Sequence, residues 1–276
     1  MAKLSGPIGV LDSGVGGLTI VRELQRILPG EDIIYFGDSA NCPYGNKSSE
    51  ELITLGKNML SFLSDNGVKM TAFGCNTLSS MIENFIPCFD HKLSSVIAPI
   101  AAHIAESGLK EVGLIATEFT VSRGGYQKLI HSHDPCIDVV AKGSPLLAAL
   151  VDRGDFNDAE IDAEIRRQMD YILSRKKVKD VILGCTHYPI VIENFKRCYP
   201  DINFIDPAVY QAYAVRDYLA SQDNSFNQKQ RGSFVVCTSG DPQIYANASK
   251  LLGLFQPDEI KVVKIRYIKS QFYFTL

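Results

Sequence analysis

The 276-residue sequence contains no apolar run close to the roughly 18 residues that a membrane-spanning helix needs. Residues 1–7 lack the basic and then apolar pattern of a signal peptide. The chain also lacks an excess of positive charge, since its net charge is −3 at pH 7. We therefore expect a cytoplasmic protein with no membrane partner and no nucleic-acid partner.

The sequence also lacks any CxxC pair, although it contains 7 cysteines. An odd number of widely spaced cysteines without an export signal predicts free thiols in a reducing compartment. Most free cysteines are small buried apolar side chains. We predict this packing role for Cys88, Cys136, Cys198 and Cys237.

A metal site is not expected either. Cys185 and His187 are only two residues apart, and Cys75 is followed by an amide and a hydroxyl side chain rather than by further ligands. The segment 131–134 (HSHD) resembles a ligand cluster in isolation, but a polar loop between two elements is the favoured interpretation.

Short apolar segments alternate with amphipathic segments along most of the chain. This alternation predicts an α/β fold with mainly parallel sheets flanked by helices, and ligands bind such sheets beyond the carboxyl ends of the strands. Strands are predicted over 8–11, 32–36, 68–73, 95–99, 111–115, 137–140, 181–184, 233–237 and 260–263. Helices are predicted after most of them, among them 18–28, 145–151, 158–175, 208–220 and 242–252.

Two pairs of segments resemble each other in the same order and at similar spacing. Residues 8–13 (IGVLDS) resemble 112–117 (VGLIAT), and 70–77 (MTAFGCNT) resemble the stretch 181–189 (VILGCTHYP), with the cysteines of the second pair 110 residues apart. This repetition predicts two similar α/β domains with the active site in the cleft between them. We expect the first domain to comprise 1–97 plus 208–276, because the tail packs back on it, and the second to comprise 98–207.

The second pair brings one cysteine of each unit, Cys75 and Cys185, to the end of a buried strand. A single nucleophile would need only one such thiol, and a dithiol redox centre usually has closely spaced cysteines. Two thiols in one cleft suit inversion of a stereocentre, with a base on one face of the carbon and an acid on the other. Because a free thiol has a pKa of about 8.5, donors near the sulfur are needed to favour the thiolate. The neighbouring side chains that can supply them are Asn76, Thr77, Thr186 and His187.

The glycine-rich loop at 14–17 (GVGG) leaves a dinucleotide-binding oxidoreductase as an alternative. The third glycine of that fingerprint is Thr19 here, and the charge of Asp12 would repel a pyrophosphate. Asp12 is better suited to a ligand ammonium group, whereas Ser13 and the helix N-terminus suit a ligand carboxylate.

Four motifs together resemble the glutamate racemase family of the aspartate/glutamate racemase superfamily. They are 12–18 (DSGVGGL), 43–45 (PYG), 74–77 (GCNT) and 184–189 (GCTHYP). The resemblance covers nearly the whole chain. It implies a cofactor-independent amino-acid racemase that interconverts L- and D-glutamate and supplies D-glutamate for peptidoglycan synthesis.

The resemblance also implies roles for individual residues. Cys75 and Cys185 would be the paired acid and base, with Asp12 and His187 assisting the proton transfers. The substrate contacts would be Asp12, Ser13, Tyr44, Gly45, Asn76, Thr77, Thr186 and His187. A racemase of aspartate or another acidic amino acid remains an alternative, and a homodimer is possible.

The chain departs from the family pattern near two positions. Asp152 stands where the family usually has glutamate, so a carboxylate that contacts the substrate amine would reach less far. Cys42 stands where an aromatic or basic residue is commoner, and we expect it to lie near the site in a packing role. Thr117 or Thr120 is expected to bind the substrate carboxylate.

Overall fold

A computed structural model of the chain describes residues 4–153, 158–222 and 231–264. Within these ranges the strands are β1 Ile8–Asp12, β2 Ile33–Gly37, β3 Met70–Phe73, β4 Lys92–Ser94, β5 Glu111–Thr117, β6 Asp138–Ser144, β7 Asp180–Gly184, β8 Asn203–Ile205, β9 Phe234–Thr238 and β10 Glu259–Val262. The α-helices are α1 Leu18–Ile27, α2 Ser49–Asp65, α3 Asn76–Ser79, α4 Ile97–Glu106, α5 Glu118–Arg123, α6 Gly125–His133, α7 Leu147–Asp152, α8 Asp158–Arg175, α9 Ile192–Cys198, α10 Pro207–Ser221 and α11 Pro242–Leu251.

The strands form two parallel sheets with the same internal order. The first sheet has the order β10-β9-β2-β1-β3-β4, and the second has the order β6-β5-β7-β8. The run β2-β1-β3-β4 therefore matches β6-β5-β7-β8 strand for strand. This match confirms the predicted pair of similar α/β units, in which β3 and β7 occupy equivalent positions. The tail strands β9 and β10 extend the first sheet beside β2, while the domain boundaries after residues 97 and 207 stay predictions.

The two units share an apolar core. One continuous cluster of buried side chains includes Val10 of β1 and Leu114 of β5, together with residues of α1, α4 and α10. All five residues of β1 are buried, as expected for a parallel strand covered by helices on both faces. The carboxyl ends of β1, β3, β5 and β7 lie close together, since residues at or just after each of them line one cavity.

Local sequence signals account for several element boundaries. The helix α2 begins with a capping box, in which the Ser48 hydroxyl accepts from the Glu51 N–H at 3.3 Å and the Glu51 carboxylate accepts from the Ser48 N–H at 2.8 Å. The predicted strand over 95–99 is wrong, because α4 begins at Ile97. Pro99 fits the first helical turn, where no intrahelical partner for its missing N–H is needed.

Two further sequence predictions are corrected by the structure. The segment 131–134 is not a loop, since residues up to His133 form the last turn of α6. Cys88 and Cys136 are exposed rather than buried, whereas Cys198 and Cys237 are buried as predicted. The short helices α3, α5, α6 and α9 were not predicted. The polar sequence of 221–232 predicts a linker, and its residues 223–230 lie outside the described residues. No helix in the described ranges is both long and apolar enough to cross a membrane.

Candidate active site

One cavity is lined by the loops that follow strands of both sheets. Its lining residues are Ser13, Cys42, Pro43, Tyr44, Gly45, Asn46, Cys75, Asn76, Thr77, Thr117, Glu118, Ser144, Pro145, Ala148, Ala149, Cys185, Thr186 and His187. Of the residues predicted for the site, ten line this cavity directly. The other three, Asp12, Thr120 and Asp152, are hydrogen-bonded to lining residues.

The first thiol stands directly after β3. Cys75 is the N-cap residue of α3 and is 4% exposed. Its sulfur lies 3.8 Å from the Ser13 hydroxyl oxygen. Burial, together with the nearby Asp12 carboxylate, raises the pKa of the Cys75 thiol to about 12. In this arrangement Cys75 is held as a protonated thiol.

The second thiol stands directly after β7 and has an imidazole beside it. The Cys185 sulfur lies 3.6 Å from Nδ1 of His187, and Nε2 of the same ring lies 2.8 Å from Oδ1 of Asp152. Burial by itself would lower the pKa of His187, but the Asp152 carboxylate and the hydrogen bond to it hold that pKa well above its usual value. Burial by itself would raise the pKa of Asp152, but the His187 charge and the hydrogen bonds from His187 and Cys42 together lower it. A protonated His187 can then donate from Nδ1 to the Cys185 sulfur, which is the contact that a thiolate needs.

Asp12 joins the two halves of the site. Its carboxylate is fully buried at the end of β1 and accepts from the Gly14 N–H at 2.9 Å and from the Thr186 hydroxyl at 3.0 Å. Burial raises the pKa of Asp12, although the positive charge of His187 opposes that rise. The carboxylate of the first unit thereby orients a hydroxyl of the second.

The loop after β2 holds Tyr44 at the cavity by a hydrogen bond to a buried carboxylate, that of Asp38. The Tyr44 hydroxyl donates to Oδ2 of Asp38 at 2.6 Å, and the Ser239 hydroxyl donates to Oδ1 at 2.6 Å. Asp38 also accepts from the Asn41 side chain. Asp38 and Ser239 were not predicted as supports, although each is a polar residue directly after a buried strand, which was the available signal.

Threonine and amide side chains form a further part of the site. The Thr77 hydroxyl lies 3.3 Å from that of Thr117, which lies 2.9 Å from that of Thr120. The buried Tyr126 hydroxyl donates to Oδ1 of Asn76 at 2.6 Å. Tyr126 was missed because α6 itself was not predicted. The bond to Tyr126 leaves the Asn76 amide N–H₂ group as the part of that side chain able to donate to a ligand.

The comparisons with known proteins agree with this geometry. The family model for Asp/Glu/Hydantoin racemase matches residues 8–214. The chain belongs to this racemase family. It is therefore an amino-acid racemase, an isomerase, as the sequence motifs predicted.

Relatives of this racemase match almost its full length. It is 34% identical over 272 residues to a glutamate racemase of Carboxydothermus hydrogenoformans, covering 97% of this chain and 100% of the relative. It is 36% identical to a glutamate racemase of Thermoanaerobacter pseudethanolicus, covering 90% of this chain and 93% of the relative.

Solved structures of glutamate racemases also resemble the whole chain. Glutamate racemase isoform RacE1 from Bacillus anthracis has a TM-score of 0.86 at 29% identity and covers 95% of this chain and 98% of its own. Glutamate racemase from Francisella tularensis in complex with D-glutamate has a TM-score of 0.84 at 30% identity and covers 94% of this chain and 97% of its own.

The glycine-rich loop of this racemase makes room for side chains rather than for a pyrophosphate. A Cβ atom added to Gly16 would lie 2.4 Å from the Thr186 hydroxyl and 2.8 Å from Nδ1 of His187. A Cβ atom on Gly17 would lie 2.7 Å from Cβ of Asp12. The space above the loop is thus occupied by the other unit, which argues against the alternative of a dinucleotide site.

The residues around Asp152 differ from what the sequence suggested. Asp152 does not line the cavity that holds the two cysteines, but its carboxylate is bonded to His187, which does line it. The Cys42 thiol donates to the other carboxylate oxygen of Asp152 at 3.2 Å, so this cysteine has a polar contact as well as a packing role. Within the described residues no group of three metal-ligating side chains is close enough to hold an ion.

Proposed function

We propose that this racemase interconverts L- and D-glutamate by two-base proton transfer between Cys75 and Cys185. One observation carries the proposal: two buried thiols follow equivalent strands of two similar units and line one cavity. Relatives named glutamate racemase match nearly the whole chain, and one similar solved structure is a complex with D-glutamate. Both findings support glutamate as the substrate. The product D-glutamate would supply peptidoglycan synthesis in the cytoplasm.

The reaction balances without a cofactor. One thiolate removes the α-proton and forms an S–H bond, while the electron pair of the C–H bond is delocalised into the α-carboxylate. The opposite thiol then donates its proton to the other face of the carbon and becomes the thiolate. The two cysteines exchange roles in the reverse direction.

The surroundings of the two sulfurs suggest which one begins as the base. Burial and Asp12 keep the pKa of Cys75 high, whereas Cys185 has the imidazole of His187 beside it. We therefore infer that His187 supports Cys185 as the base in one direction of the reaction, because its Nδ1 can donate to the Cys185 sulfur. His187 assists the transfers by donating to the Cys185 sulfur, whereas the Asp12 carboxylate favours the protonated form of Cys75.

Residues that line the cavity, together with Asp12 and Thr120 bonded to them, would bind the substrate. The proposed contacts are Asp12, Ser13, Tyr44, Gly45, Asn76, Thr77, Thr186 and His187, with Thr117 or Thr120 on a carboxylate. Asp12 suits the ammonium group, because a buried carboxylate can offer it a charge-assisted hydrogen bond. The homodimer and the two domain boundaries remain predictions.

The test begins with the purified protein and three substrates. Polarimetry with L-glutamate, L-aspartate and L-glutamine in parallel, without added cofactor, should show rotation falling to zero for L-glutamate. Racemisation of L-aspartate at an equal or higher rate would contradict the proposal that glutamate is the preferred substrate. A titration with NAD and NADP, followed by fluorescence, tests the oxidoreductase alternative in the same preparation.

The mechanism needs a separate test, because enantiomers have equal free energies in solution. That equality forces kcat/KM to be the same in both directions for every variant, so a one-sided defect appears only in hydrogen exchange. We expect Cys75→Ser and Cys185→Ser each to abolish racemisation while retaining α-hydrogen exchange with D₂O for opposite enantiomers. Racemisation near the wild-type rate in either variant would refute the two-base mechanism.

A further inference from the structure

A continuous line of hydrogen-bonded side chains ends on the Cys185 thiol. It starts at the Cys42 sulfur, which lies 3.2 Å from Oδ2 of Asp152. The other carboxylate oxygen, Oδ1, lies 2.8 Å from Nε2 of His187, and Nδ1 of that ring lies 3.6 Å from the Cys185 sulfur. Cys42 belongs to the loop after β2, so the line runs from the first unit into the second.

We propose that Cys42 is a positioning residue for proton transfer. Its S–H group holds the Asp152 carboxylate in the orientation that keeps the His187 ring protonated and directed at Cys185. This inference rests on the proposed function, in which Cys185 is one of the two bases. It assigns to a third cysteine a role that needs no contact with the substrate.

The chemistry of the Cys42 thiol suits a donor rather than a competing base. Burial raises the pKa of Cys42, and the Asp152 carboxylate raises it further, against the opposing charge of His187. Asp12 also raises this pKa. Cys42 therefore keeps its proton, and the bond to Oδ2 of Asp152 must be S–H to carboxylate.

The position of Asp152 shows why it needs a second partner. It is the last residue of α7, and its side chain is 25% exposed. It also lines a second cavity together with Val15, Ser39, Cys42, Pro43, Ala149, Arg153 and Ile244. Within the described residues the carboxylate has one hydrogen-bond partner on each oxygen. Loss of the thiol would leave Oδ2 facing this second cavity, and the carboxylate would be free to rotate away from His187.

The experiment compares Cys42→Ala, which removes the donor, with Cys42→Ser, which keeps one. The pH dependence of iodoacetamide alkylation is followed for each cysteine separately by peptide mass spectrometry. In Cys42→Ala we expect the Cys185 profile to move to higher pH by about 0.5–1 unit, because His187 loses the carboxylate that keeps it charged. Cys42→Ser should recover most of that shift.

Controls within the chain separate positioning from general damage. The Cys75 profile of the same variant should not move, since Cys75 lies outside this line. Cys237→Ala, which removes a buried thiol on β9 outside the cavity, should leave both profiles unchanged. Racemisation by Cys42→Ala should slow by about three- to tenfold, with recovery in Cys42→Ser.

Two outcomes would overturn the inference. One is a folded Cys42→Ala protein whose Cys185 profile matches the wild type. The other is an equal shift in the alanine and serine variants, which would mean that the donor is irrelevant. The alkylation profiles do not require turnover, so a protein inactive on glutamate would refute the proposed function while this test still gave its own answer.

Discussion

Gly16 has less room for a side chain than the other glycines of the loop 14–17, so the effect of adding one methyl group there can be predicted. In Gly16→Ala the new Cβ atom would meet the Thr186 hydroxyl at 2.4 Å and two atoms of the His187 ring at 2.8 and 2.9 Å. Ordinary contacts begin near 3.4 Å, so the side chains of the second unit must withdraw by about 1 Å. The methyl group either displaces Thr186 and His187 or holds the two units apart.

Both responses disturb proton transfer, because they move His187 or the two thiols out of position. A displacement of about 1 Å near reacting groups can cost about 100-fold in rate, which corresponds to about 3 kcal/mol of activation free energy. The free energy of unfolding should fall by about 1–3 kcal/mol, as for other overpacked sites. We therefore expect Gly16→Ala to be folded at room temperature and to have kcat/KM lowered about 100-fold.

The assay is polarimetry of L-glutamate over a range of concentrations, together with denaturant unfolding. Gly125→Ala is the matched control, because its Cβ atom would meet Ser80 at an ordinary 3.4 Å at the start of α6. That variant should keep wild-type activity. The reasoning is refuted if Gly16→Ala retains kcat/KM within about threefold of the wild type.

Three further predictions concern the supports of the site. Asp152→Asn should remove a contribution of about 2–4 kcal/mol to the unfolding free energy, measured by denaturant unfolding from pH 3 to 9. In the wild type that contribution is largest between the unfolded pKa values of about 4 for Asp152 and 6.5 for His187. It is lost as pH falls through the lowered pKa of Asp152 and as pH rises through the raised pKa of His187; an unchanged pH profile in the variant would contradict the pairing. Tyr126→Phe should raise KM for glutamate about three- to tenfold through loss of the donor to Asn76, with steady-state kinetics as the measurement and an unchanged KM as the contrary result. Ser48→Ala should lower the unfolding free energy by about 1 kcal/mol without altering kcat, and a loss of activity would show that the cap of α2 also supports the site.

The elements nearest the site show how far local sequence signals reach. The strands β1, β3, β5 and β7 were predicted because short apolar runs ending at polar residues are local patterns. The start of α4 was misplaced because Pro99 resembles a helix breaker unless it falls in the first turn. The helix α6 was missed because its apolar face is narrow, with only Tyr126 and Ile130 buried among polar residues.

The repeated α/β unit and the two cysteines at equivalent strand ends follow from residue order and periodicity. How the two halves share the site depends on contacts between residues that are far apart in the chain. The Thr186 hydroxyl reaches Asp12 from 174 residues away, and Cys42 reaches Asp152 from 110 residues away. Such contacts depend on how the two sheets pack against a common core, and no spacing within the chain encodes that packing. The same packing places His187 between Asp152 and Cys185, and thereby makes the surroundings of two similar thiols unequal.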